Sequence, residues 1–277
     1  MEHGSGTYTQ ACAVLYDGPP LIDAQAIGAA LRAAGARHIS VVFEAENHTG
    51  PDSIVRGRIR MDGHTVHVVS AARPATDQTM RVALREALLD DEDRESLLAH
   101  QGCTQCLYLE GSTSPLAQLR ALYRVAGALI TASGSSSHAL GVVDAPALIA
   151  LPAAEAVSLL RWLDASPPPI GLWVRLFCIT DSDGDLWLLT RGLTHFQVPE
   201  LALRARDVSG EDDGESLLMS IASWIITGAG KIRPGDKLTM MAEENHPDSS
   251  ATWRCVVPEQ KAGWMAAPFG TVLLLPA

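Results

Sequence analysis

Apolar and polar positions follow two different periods along this chain, and the periods change at recognisable turn signals. "ACAVLYDG" (11–18) is a short apolar run that reads as a strand. "IDAQAIGAALRAAGA" (22–36) has helical spacing, with Asp23 placed as an N-cap and Gly35 as the stop. "HISVVFEAE" (38–46) is rich in β-branched residues and reads as a strand. "SIVRGRIRMDGHTVHVVSA" (53–71) alternates arginine with apolar residues and turns at Asp62-Gly63, a strong hairpin signal. "TDQTMRVALREALLDDEDRESLLAH" (76–100) returns to helical spacing with a break near Asp90, and "CTQCLYLEG" (103–111) is a strand again. The succession β-α-β-β-α-β matches the split βαβ, or ferredoxin-like, plan.

A helix over 114–131 follows, with Leu116, Leu119, Leu122, Tyr123, Ala126 and Leu129 on one stripe. "SGSSSH" (133–138) reads as a flexible connection. A second pass starts with a short strand and loop at 139–149 and a helix at 152–164. "SPPPIG" (166–171) is a rigid spacer and a strong boundary marker. A hairpin over 172–193 turns at "DSDGD" (181–185), an amphipathic helix covers 215–230, and strands follow at 236–242, 251–257 and 271–276. The expected fold class is α+β: two ferredoxin-like units whose antiparallel sheets are covered by helices. The expected domains are 1–112, a linking segment 113–137, and 138–277.

Charge changes the picture of partners. The net charge is −11, from 32 acids and 21 bases. That argues against sequence-independent nucleic-acid binding, which draws its affinity from lysine and arginine, and against docking on an anionic membrane. The start "MEHGSGTYTQ" lacks the pattern of a signal peptide. No stretch approaches the roughly 18 apolar residues of a membrane span. Five scattered cysteines are not a disulfide framework. A cytoplasmic protein with reduced thiols is expected.

Several stretches carry candidate chemistry. "CTQC" has the spacing of a redox or zinc pair, but Cys103 and Cys106 lie three apart on a strand and point to opposite faces. The same geometry separates His64 from His67. "DSDGD" lacks the twelfth-position glutamate of a calcium loop, since Gly192 stands there. Neither a cofactor nor a metal is expected. "LLTRGLTHFQVPEL" (188–201) concentrates Thr190, Arg191, His195 and Glu200 beside Gly192 and Pro199. An acid–base site would need His195 and Glu200 to converge, which a straight strand forbids. The preferred reading is a bent connection in which Glu200 ties down exposed backbone amides.

The stretch 172–203, followed by a helix and "RPGDKLTM", resembles the bacterial family described as domain of unknown function 4261. Thr190, Gly192, Leu193, Phe196, Pro199, Glu200, Gly235 and Asp236 carry the resemblance, which spans roughly 168–245. It implies a loose association with toxin–immunity and secretion-effector loci; the residues themselves are read as structural.

Two acidic runs remain, "DDEDRE" (90–95) and "DVSGEDDGE" (207–215). Acids before a helix account for the second, while the first is less easily explained by capping. Acidic surfaces also steer association with basic partners. Asp90, Asp91, Glu92, Asp93, Glu211, Asp212 and Asp213 are therefore candidate partner contacts. The expected function is non-enzymatic binding of another protein, such as a toxin or secreted effector, as an immunity protein or effector adaptor. The alternative is a small-molecule-binding or hydrolytic enzyme with a site near His195 and Glu200 in a cleft between the halves.

Overall fold

The structure, a computed structural model, describes residues 9–45, 54–75, 77–134, 137–208, 211–240, 251–258 and 267–277. Expected strand residues 46, 53, 241 and 242 lie outside that set, as do the side chains of Glu211 and Asp212. The chain is α+β and forms two compact units, Met1–Leu172 and Trp173–Ala277.

Unit 1 begins with β1 (Ala11–Tyr16), α1 (Ala24–Ala33) and β2 (Ser40–Ala45). Asp23 caps α1, its carboxylate accepting from the amides of Gln25 and Ala26 at 2.8 and 3.1 Å. The hairpin β3 (Ile54–Met61) and β4 (His64–Ala71) turns at Asp62-Gly63, where φ is +48° and +82°. Both positive values suit the tight turn that the Asp-Gly pair signals. Next come α2 (Gln78–Glu86), α3 (Asp91–Leu98) and β5 (Gly102–Glu110). The unit closes with α4 (Pro115–Ala132), β6 (Ala139–Asp144), β7 (Ile149–Pro152) and α5 (Ala153–Leu160).

These strands form one antiparallel sheet in the order β2-β3-β4-β5-β1-β6-β7. β1 and β2, joined by α1, run parallel with three strands between them. The unit boundary differs from the expected 137/138 because β6 pairs with β1 and β7 with β6. Residues 139–172 thus complete the first sheet, and the proline-rich spacer 166–171 leads directly to the division at 172/173.

Helices pack on both faces of this sheet, where cover on one face was expected. Ala13, Leu15, Cys103, Val143 and Ala150 form a core with α2 and α3. The alternate residues Cys12, Val14 and Tyr16 point the other way, where α4 packs on β1, β4 and β5. α4 is apolar almost all round, and Leu119, Leu122, Tyr123, Val125 and Ala126 are fully buried.

Unit 2 contains β8 (Arg175–Thr180), β9 (Leu186–Arg191), β10 (Glu200–Arg204), α6 (Glu211–Ile226), β11 (Lys237–Met240), β12 (Ala251–Val256) and β13 (Thr271–Pro276). The order is β11-β12-β13-β10-β9-β8. Two three-stranded meanders meet where β10 pairs parallel to β13, so this sheet is mixed rather than purely antiparallel. α6 packs against β9 and β10. The strand β10 falls where the sequence suggested only a connection. Among the described residues no helix is long and apolar enough to cross a membrane.

One buried histidine locks the route into α2. The amide of Ala75 donates to His100 Nε2 at 2.9 Å, so the imidazole proton sits on Nδ1 and is donated to the Leu97 carbonyl at 2.7 Å. Burial lowers the His100 pKa, the Leu97 bond opposes that shift, and Arg81 adds to it. A depressed histidine pKa stabilises the fold fully above the unfolded value of about 6.5. That contribution is lost as pH falls below it toward the folded value. Denaturant unfolding at pH 7 and pH 5 should show a smaller loss of stability on acidification for His100→Leu than for the parent chain. At pH 7 the variant should be less stable by about 1–3 kcal/mol, because the Ala75 amide loses its acceptor.

Candidate functional site

The stretch 188–201 is a carboxylate held inside the backbone. β9 ends at Arg191, a 3-10 turn spans Leu193–Phe196, and β10 starts at Glu200 immediately after Pro199. The bend returns the chain so that Glu200 faces the turn it has just left. Its Oε1 accepts from the amides of Gly192 (2.9 Å) and Thr194 (3.2 Å) and from the Thr194 hydroxyl (3.1 Å). Its Oε2 accepts from the Thr190 hydroxyl (2.7 Å) and the Leu193 amide (3.3 Å). Thr190 Oγ1 in turn accepts from the Leu201 amide at 2.8 Å. Three successive amides around one anion form a backbone nest, here filled by the protein's own side chain.

This geometry matches the expected tie between Glu200 and the backbone, except that the amides are buried rather than exposed. Gly192 is required twice over. Its φ is +114°, and a Cβ there would lie 1.8 Å from the Trp173 carbonyl oxygen. Five donors more than fill the roughly four lone-pair sites of a carboxylate. Glu200 is therefore fully engaged by its own fold. His195 is buried within the turn, and Phe196 meets Trp173 edge to face with ring centroids 6.2 Å apart. Burial lowers the pKa of Arg191, and the Glu200 charge partly restores it.

The other singled-out residues also have local work. Gly235 (φ +93°) and Asp236 form the turn into β11, and the Asp236 carboxylate accepts from the Arg233 amide at 2.7 Å. Asp181 organises the 181–185 turn, accepting from the Asp183 and Asp185 amides and from the Trp187 indole. Asp90 caps α3 through the Asp93 amide at 2.8 Å, with Asp91, Glu92 and Asp93 in the first turn. Capping therefore does explain the run that the sequence left unexplained, since α3 begins at Asp91. Asp213 is exposed in the first turn of α6.

Cys103 and Cys106 belong to different faces of the sheet. Cys103 packs in the α2–α3 core, and burial pushes its thiol up to about 12. Cys106 lies directly across from Cys12, whose thiol is raised well above the ordinary value by their hydrogen bond and by burial. Among the described residues no group of three or more His, Cys, Asp or Glu could hold a metal ion.

One surface has a character that the composition conceals. On β3, Arg56, Arg58 and Arg60 share one face, are exposed, and alternate with the buried Gly57, Ile59 and Met61. Register places Ser40, Val42 and Glu44 of β2 opposite Arg60, Arg58 and Arg56, and His67 of β4 opposite Arg58. Together they line a shallow groove of about 250 Å³. Among the described residues neither Arg58 nor Arg60 is in an ion pair. The alternation was visible in the sequence as a hairpin signal. The pairing that turns it into a charged surface was not.

Glu200→Gln keeps the side-chain shape but points an amide NH2 at donors in either orientation. The substitution should destabilise unit 2 by on the order of 3 kcal/mol or more. Denaturant unfolding followed by tryptophan fluorescence provides the measurement, and an unchanged midpoint would remove the structural role assigned to the carboxylate.

Compared with protein-family models, with curated proteins and with solved structures, the chain matches none.

Proposed function

We propose that this protein acts by stoichiometric binding of another protein, with the open arginine-lined face of the first sheet as its docking surface. The observation that carries the reading is the row Arg56, Arg58 and Arg60, exposed on the strand next to the sheet edge in a chain of net charge −11. Residues two apart on a strand are about 6.8 Å apart. Alternate carboxylates of an extended acidic polypeptide have the same repeat, so each meets one guanidinium, and arginine suits such bidentate recognition. Val42, about half exposed, and His67 supply apolar contact beside the charges.

A polyanionic nucleic acid is a poorer match. The groove contains no Phe, Tyr or Trp to stack a base. The acids at 90–93 complete a helix N-terminus, so the docking role passes to the basic face. The resemblance of 168–245 to domain of unknown function 4261 supports reading the protein as an immunity protein or effector adaptor within this binding class.

The test uses the full chain and its Arg58→Glu/Arg60→Glu variant. The partner is first isolated by pull-down from the native host with the parent chain, and association is then followed kinetically. Exposed charges mainly set the encounter rate. The double reversal should therefore slow association at low salt by about tenfold or more, and should flatten the salt dependence. Unchanged kinetics would overturn the assignment of this face. Tight binding of a single-stranded oligonucleotide, lost in the same variant, would replace the protein partner with a nucleic acid.

A further inference from the structure

A second site lies on the opposite side of unit 1, on the helices. α1 and α5 both pack on α4 and leave a cleft of about 390 Å³ between them. That volume lies in the range of small-molecule sites, roughly 300–1,000 Å³. The cleft is open because its walls are made of short side chains: Ala33 and Ala34 on α1, and Gly127 at its floor on α4. Gly127 also sets the position of the far wall. A Cβ there would lie 2.8 Å from Leu160 Cδ1, so its absence lets Leu160 close onto α4.

The cleft is charged at one end only. α4 and α5 run antiparallel: Gly127 lies against Leu160, while Arg120, two turns earlier on α4, donates to the later carbonyls of Leu163 and Ala165 at 3.0 and 3.2 Å. Arg124 pairs with Asp164 at 2.5 Å at that same end, and Arg161 stands beside them, exposed. Of these groups Arg124, Arg161 and Asp164 line the cleft, and two guanidiniums and one carboxylate leave a net charge of +1 there. Beyond it the lining is uncharged and mainly apolar, formed by Gly127, Leu160 and Val157 with the hydroxyl-bearing Thr131. Asp164 shows what the charged end accepts: a carboxylate on the Arg124 guanidinium. Its own side chain is 66% exposed and is therefore able to yield the position to a competitor.

From this polarity we infer that the α1–α4–α5 cleft binds an amphipathic carboxylate, with a single acyl chain along Gly127, Leu160 and Val157 and its head between Arg124 and Arg161. The site is separate from the arginine-lined sheet face, and its test does not depend on that surface. Decanoate is the probe, titrated below its micellar concentration into the full chain by calorimetry, with decanol and acetate as controls. Decanoate should bind saturably with one site, decanol more weakly and acetate not at all. Arg161→Ala, at an exposed position, should weaken decanoate about tenfold, the effect of losing one charge-assisted hydrogen bond. Ala33→Phe, also exposed, should abolish binding by filling the cleft, and circular dichroism verifies that both variants fold. Absence of saturable decanoate binding, or parental affinity in both variants, would overturn the assignment. Decanol binding as tightly as decanoate would refute the role of the arginines and leave an apolar cleft.

Discussion

A sheet must be covered on both faces or must make its uncovered face polar, and unit 1 is governed by this constraint. Seven strands at about 4.8 Å spacing measure roughly 29 Å across. Among the described residues, the helical cover on the face of Ala13 and Leu15 is only α2 and α3, of nine and eight residues. Helices of that size, each about 10 Å in diameter, reach β1, β5, β6 and β7 but cannot also span β2, β3 and β4. The chain resolves the deficit with charge. Arginine occupies every second position of β3 from 56 to 60, while the helix-covered face of the same strand carries glycine, isoleucine and methionine. The exposed arginine row of β3 is thus a result of incomplete cover.

Unit 2 meets a different difficulty. Its two meanders must be joined through a parallel pair, and the chain must turn out of β9 and back into β10 within eight residues. A turn that tight leaves consecutive amides pointing inward with no strand to accept them. Glu200 accepts all three, and its negative charge sits at the amide end of the short helical turn. What looked like the contents of an active site is a solution to a backbone hydrogen-bonding problem.

Local chemistry was legible wherever a residue satisfies its own neighbourhood. Asp23 and Gly35 bound α1, Asp62-Gly63 turns the first hairpin, and the break before Asp91 separates α2 from α3. Gly192 could be recognised as a place of close backbone approach, though not that the partner is the Trp173 carbonyl. Long-range pairing was not legible. That β6 completes β1 across more than a hundred residues is set by the need to bury Val142 and Val143, which periodicity alone does not assign to a sheet. The same holds for β10, hidden because its five residues follow a proline and a turn rather than an alternating run. The arginine face and the helical cleft arise only when register and packing set separate segments side by side.

The place of β13 gives unit 2 a timetable. It is the last of the described strands yet lies inside the sheet, between β10 and β12. At roughly 5–20 residues per second on the ribosome, the stretch between β10 at 204 and β13 at 271 takes about 3–13 seconds to make. Through that interval the edge of β10 that β13 will occupy has no strand on it. Nascent chains on neighbouring ribosomes carry the same bare edge in the same orientation. The central parallel pair of unit 2 therefore forms only after the intervening residues have been made.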